Sequence, residues 1–160
     1  MSSKNKNLST HTEKNVLDVA KHTFAIVVSE WNDQITDSLY AGAYQTLIDH
    51  GAKPKNIIRM DTPGSFELPL AAQWMAKQKK VDAVICLGCV IQGETRHFEF
   101  INQAVAQGIK DVALKFDKPV IFGVLTTDTS RQALDRAGGK FGNKGDEAAI
   151  TAVKMLAQRP

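Results

Sequence analysis

The chain has 160 residues, 43% of them hydrophobic, enough for one packed domain with a single core. Its 20 basic and 17 acidic side chains leave a formal net charge of only +3, too slight and too evenly spread for a nucleic-acid footprint. No run approaches the ~20 apolar residues that cross a bilayer, and Met1 to Ala20 is too polar for a signal peptide, so we expect a cytoplasmic protein with no membrane partner.

Residues 1–21 are rich in Ser, Lys, Asn and Thr and lack an apolar period, which predicts a flexible N-terminal arm ahead of one α/β domain over 22–160. Thr23 to Ser29 (TFAIVVS) reads as a buried strand. A helix follows, with Asn32 or Asp33 as its cap, an apolar stripe through Ile35, Leu39, Ala43 and Leu47, and His50-Gly51 as its stop. Ile57 to Met60 gives the second strand, and Asp61 to Ser65 is a loop of turn formers. The next helix spans about Phe66 to Gln78, and Lys77, Lys79 and Lys80 at its end suit the helix dipole without any ligand.

Ala83 to Gly88 is the third strand. Its helix starts near Glu94 or Thr95 and reaches toward Lys115, with Gly108 as a weak point. Pro119 to Thr126 is the fourth strand. A short helix over Ser130 to Ala137, a break at Gly138-Gly139 and a final helix from Asn143 or Asp146 to Gln158 complete the chain. Strands alternating with helices imply right-handed crossovers, hence a flavodoxin-like three-layer αβα sandwich: a four-stranded parallel sheet with helices on both faces.

Cys86 and Cys89 spell C-x-x-C, but the first lies inside an apolar strand, and positions three apart on a strand point to opposite faces. A disulfide, a redox centre and a shared metal are all disfavoured, and the other histidines show no zinc-ligand spacing.

In parallel sheets ligands bind outside the carboxyl ends of the strands. Four loops therefore hold the candidates. Trp31, beside Asn32, is either a packing aromatic or a stacking platform for a flat ring. Glu67, after Ser65 and Phe66, either answers the helix dipole or accepts hydrogen bonds from polyol hydroxyls. Gly93-Glu94-Thr95 either opens a helix or cradles an anion on its N–H groups, though Glu94 would have to point away from a phosphate. His97 is a surface histidine or a proton shuttle working near neutral pH. Arg136 and Lys144 flank the glycine break, and Asn143-Lys144-Gly145 reads as a turn presenting a lysine tip.

Four motifs together carry a family resemblance: Pro63-Gly64-Ser65-Phe66-Glu67-Leu68-Pro69; Leu87 to Thr95 (LGCVIQGET) with His97-Phe98; Phe122-Gly123-Val124-Leu125-Thr126-Thr127; and Arg136-Ala137-Gly138 with Gly142-Asn143-Lys144-Gly145. In this order and spacing they resemble the lumazine synthases of riboflavin biosynthesis, from Phe24 to the C-terminus. The resemblance implies condensation of 5-amino-6-(D-ribitylamino)uracil with 3,4-dihydroxy-2-butanone 4-phosphate to 6,7-dimethyl-8-ribityllumazine, with no cofactor and no metal. It implies that Trp31, with Asn32 beside it, stacks on the pyrimidine; that Ser65, Phe66 and Glu67 hold the ribityl chain; and that Cys89, Val90 and Ile91 meet the heterocycle mainly through backbone. Glu94 and Thr95 lie in the phosphate loop, and His97 shuttles protons. Arg136 would bind the phosphate from a neighbouring subunit, with Phe122 and Lys144 reaching across the same interface.

A shared site implies a homo-oligomer. The family forms pentamers, some assembling into icosahedral shells, and the short Gly138 to Asn143 connection resembles shell-forming members. Three departures stand out: Trp31 replaces a common phenylalanine, Cys89 replaces a common threonine, and Arg96 directly before His97 is less usual. The rival expectations are a non-catalytic flavin or lumazine carrier and a structural shell protein; His97 and Arg136 standing together argue against both.

Overall fold

The first strand, β1 (Phe24–Ser29), is buried along its whole length, as a β-branched run flanked by sheet on both sides must be. The computed structural model describes residues 18–159. Of the expected N-terminal arm, residues 1–17 lie outside the described residues; Val19 is buried in the core. Helix α1 (Asp33–Asp49) buries Ile35, Leu39, Ala43 and Leu47 and ends before Gly51, which takes φ 93. Strand β2 (Ile57–Thr62) leads through a 3-10 turn at Ser65–Glu67 into α2 (Leu68–Lys77).

Strand β3 (Ala83–Ile91) is three residues longer than its sequence suggested, because Cys89, Val90 and Ile91 pair with Leu125, Thr126 and Thr127. Helix α3 (His97–Phe116) runs through Gly108 unbroken and stops at Asp117, left-handed at φ 50. After β4 (Val120–Thr127) and the short α4 (Ser130–Leu134), the expected glycine break is a small antiparallel hairpin, β5 (Ala137–Gly139) with β6 (Gly142–Asn143). Helix α5 (Lys144–Ala157) closes the described chain.

The four long strands are all parallel, in the order β2-β1-β3-β4. Alternating side chains divide the core between two faces. Phe24, Ile26, Val28, Ile85, Leu87 and Cys89 pack with Leu39 and Leu47 of α1 and Ala149 and Val153 of α5. Ala25, Val27, Val84 and Cys86 pack with Leu68 and Ala72 of α2 and Val105 and Ile109 of α3. The two cysteines thus lie on opposite faces and both are free. Each fully buried Leu, Ile, Val or Phe contributes about 1.5–3 kcal/mol of burial. Helices α1 and α5 approach closely enough that a Cβ on Gly145 would collide with the Leu39 carbonyl oxygen.

Strand order fixes where a ligand can enter. From β1 the chain crosses outward to β2, then returns past β1 to β3 on the other side, so α1 and α2 cover opposite faces. The loops leaving β1 and β3 diverge. Such a reversal opens a crevice at the carboxyl ends of those two strands.

Candidate active site

At that crevice β3 runs on to Ile91, past the Val28–Leu87 pair that ends its ladder with β1. The loop after β1 fills part of the gap. Its backbone N–H groups at Glu30 and Trp31 donate to the carbonyls of Thr62 and Pro63 at 2.8 and 3.2 Å, and the Asn32 side-chain amide donates to the Cys89 carbonyl at 2.9 Å. With its backbone held on both sides, Trp31 leaves its indole 73% exposed. An aromatic this large, displayed rather than packed, is a surface for a flat partner.

The loop after β2 lies alongside. The Thr62 hydroxyl bridges to the carbonyls of Val28 and Gly64, at 3.4 and 3.2 Å, and fixes the turn that presents Ser65, Phe66 and Glu67. Ser65 is only 6% exposed, and its Oγ has no protein partner. It lies over β3 so closely that a Cβ on Gly88 would come within 2.6 Å of it. Phe66 and Glu67 are exposed. Of the third wall, Cys89 is buried while Val90 and Ile91 are half-buried. Burial pushes the Cys89 thiol up to about 11 and the Cys86 thiol up to about 12, so both are neutral packing groups at pH 7 rather than nucleophiles.

Glu94 and Thr95 fall in the bend before α3, not on the helix, which begins at His97. The His97 N–H donates to the Thr95 hydroxyl at 3.3 Å, and those of Glu99 and Phe100 to the Arg96 carbonyl at 3.0 and 3.4 Å. His97 stands exposed on the first turn. Its imidazole is therefore open to solvent.

The remaining three candidates sit elsewhere. Arg136 and Lys144 line a hollow of about 260 Å³ with Thr126, Thr127, Phe141 and Glu147. The Arg136 guanidinium lies 5.2 Å from the centre of the Phe141 ring, and Lys144 Nζ meets Glu147 Oε2 at 2.8 Å. Lys144 is not a turn tip: the Asn143 side chain caps α5 by accepting from the Gly145 N–H at 2.8 Å, which puts Lys144 in the first helical turn. Phe122, 37% exposed, lies with Lys144, Leu114 and Met155 in a trough of about 980 Å³ along β4. Neither hollow is lined by Trp31, Ser65, Glu67 or His97. Glu147, buried beside Lys144, escaped the sequence reading, because an acid in the first turn of a helix is sufficiently explained by the dipole.

The model of the 6,7-dimethyl-8-ribityllumazine synthase family matches residues 21–159. The chain belongs to the lumazine synthase family. It is 64% identical over 158 residues, 99% of each chain, to the 6,7-dimethyl-8-ribityllumazine synthase of Cytophaga hutchinsonii. It is 52% identical over 150 residues, 94% of each chain, to that of Parabacteroides distasonis. To that of Flavobacterium johnsoniae it is 52% identical over 155 residues, 97% of this chain and 82% of the relative. The span matched to the lumazine synthases takes in both groups of candidates, from Trp31 to Lys144. Among the described residues no helix is long and apolar enough to cross a membrane.

Proposed function

We propose that this lumazine synthase condenses 5-amino-6-(D-ribitylamino)uracil with 3,4-dihydroxy-2-butanone 4-phosphate in a site that two copies of the chain complete together. The observation that supports this is the separation of the candidates: Phe122, Arg136 and Lys144 line the hollows at β4, and Trp31, Ser65, Glu67 and His97 line neither. A neighbour's β4 edge laid across the crevice would supply the missing cations. We place the protein in the cytoplasm as a homopentamer, and the short Gly138 to Asn143 connection, which resembles that of shell-forming members, supports further packing of pentamers into icosahedral shells.

In this site Trp31 stacks on the pyrimidine and Asn32 lies beside it. Ser65, Phe66 and Glu67 receive the ribityl chain, with the unpartnered Ser65 Oγ and the exposed Glu67 carboxylate as hydrogen-bonding groups. The backbone of Cys89, Val90 and Ile91 meets the heterocycle. Glu94 and Thr95, in the bend before α3, frame the phosphate at the helix N-terminus, where backbone N–H groups and the dipole favour an anion; the Glu94 side chain turns away from it. Arg136 of the neighbouring copy completes the phosphate site.

The 5-amino nitrogen attacks the ketone carbon, water leaves to give an imine, phosphate departs, and the ribityl-bearing nitrogen closes the second ring with loss of a further water. Amine and ketone need little more than alignment, and orientation supplies up to ~7–11 kcal/mol of barrier reduction in favourable cases. A fixed cation stabilises charge on the departing phosphate, and His97 carries protons between nitrogen, hydroxyl and solvent.

The test mixes two crippled chains. Arg136→Ala and His97→Ala variants are co-expressed with different tags, and lumazine fluorescence is followed on adding both substrates. Shared sites restore up to about a quarter of the wild-type sites in a random mixture, since one composite site in four draws both intact halves. A site contained within one chain gives no recovery. Flavin binding without turnover by the wild type would replace catalysis with a carrier role, and sedimentation as free pentamers would remove the shell.

A further inference from the structure

Asn32 has two features that contact with a ligand leaves unexplained. Its backbone is left-handed, at φ 64 and ψ 46, a conformation that strains most side chains and that Asn tolerates better than most. It also stands at the N-cap of α1 without making a side-chain cap bond. The amide reaches instead across to the Cys89 carbonyl, 57 positions along the chain, at 2.9 Å. The carbonyl of Asn32 meanwhile accepts from the N–H groups of Ile35 and Thr36 at 2.9 and 3.1 Å. One residue therefore starts α1 with its backbone and grips β3 with its side chain.

Trp31 is the residue immediately before. Its N–H is bound to the Pro63 carbonyl at 3.2 Å, so the segment carrying the indole is fastened to the exit of β2 on one side and, through Asn32, to the exit of β3 on the other. The bonds at Glu30 and Trp31 use backbone groups that any residue supplies. The Asn32 bond needs a side-chain N–H donor of this length on a backbone that accepts positive φ, and few residue types meet both conditions.

We propose that Asn32 is a positioning residue: its amide, bridging to the Cys89 carbonyl, sets the gap between the Trp31 ring and the backbone of Cys89 to Ile91, and thereby the affinity for the flat heterocyclic substrate. This rests on the crevice being the pyrimidine site. The phosphate-bearing substrate, bound toward α3 and the neighbouring copy, does not depend on that gap.

The test is made in a Trp74→Phe background, which leaves Trp31 as the sole tryptophan of the two in the sequence. Asn32→Gly keeps the left-handed backbone without strain and removes only the amide; Asn32→Asp keeps the shape and removes the donor. Both should raise KM for the ribitylaminouracil about tenfold, the loss expected for one such bond, while KM for the butanone phosphate stays within about twofold. Trp31 fluorescence anisotropy without substrate should fall in both. An Asn32→Gly protein with unchanged KM and anisotropy would overturn the proposal, as would an equal rise in both KM values, which marks a general loosening. If the wild type turned over neither substrate, the crevice reading itself would fail, and the anisotropy arm would still decide whether the tether exists.

Discussion

The crevice at the ends of β1, β2 and β3 and the outer flank of β4 are built in opposite ways. Hydrogen bonds between neighbouring loops finish the crevice within one chain: Glu30 to Thr62, Trp31 to Pro63, Asn32 to Cys89. The β4 flank presents charges on side chains, Arg136 over Phe141 and Lys144 on Glu147, beside a trough with exposed Leu114, Phe122 and Met155. Outermost in the sheet order, β4 is an edge strand, and exposed apolar surface at such an edge invites cover. One surface is finished by backbone and side-chain hydrogen bonds, the other left with exposed apolar groups and charges, and in the proposed composite site the second would cover the first.

The sharpest way to break that contrast is to remove the guanidinium of the β4 flank. Arg136→Ala should cut kcat/KM for the butanone phosphate about 10³-fold, at the upper end for loss of one charge-stabilising group. Steady-state kinetics that left it unchanged would confine the chemistry to the crevice. On the crevice side, His97→Ala should slow turnover by about 10²-fold without abolishing it, in the range of a single acid–base contribution; complete loss would mean that proton transfer, not alignment, carries the reaction.

A change in the scaffold should act on both regions alike. Gly145→Ala, which drives a methyl into the Leu39 carbonyl oxygen between α1 and α5, should cost about 1–3 kcal/mol, visible as a drop of roughly 2–4 °C in Tm per kcal/mol at this size. The two thiols should respond least near neutrality. Burial pushes the thiols of Cys86 and Cys89 up to about 12 and about 11 in the folded chain, against an ordinary thiol value of 9.0, so above pH 9 the folded state keeps both protons while the unfolded state releases them. Their contribution is fully present below pH 9 and falls as pH rises toward 11 to 12. Thiol titration with an aromatic disulfide should accordingly be slow at pH 8 and complete only on denaturation.

The sequence made the elements and the three layers readable, because period-two and period-3.6 patterns report burial directly. Trp31 was recognisable for the same reason, as an aromatic standing where a strand ends and a cap begins. What escaped depends on contacts between distant segments. Gly88 looked like the end of a strand, yet pairing with β4 carries β3 on to Ile91. Lys144 looked like a turn tip until the Asn143 side chain closed on the Gly145 N–H. No local pattern signals that the Asn32 amide leaves its own helix for a carbonyl on another strand.

The return crossover that creates the crevice also dictates how the chain must fold. The β1–β3 ladder begins beside the Thr23 N–H bond to Asp82, across 59 positions, whereas β3 and β4 are joined by a single helix and share eight paired positions from Val84–Val120 to Ile91–Thr127. Closing the longer loop costs more entropy before any contact is gained. The segments from β1 to β2 and from β3 to β4, each joined through one long helix, are thus the local units, and the β1–β3 ladder that unites them is the costly closure. A chain halted between these steps would show the bare flank of β3 to its neighbours, and fast closure there guards newly made copies against clumping.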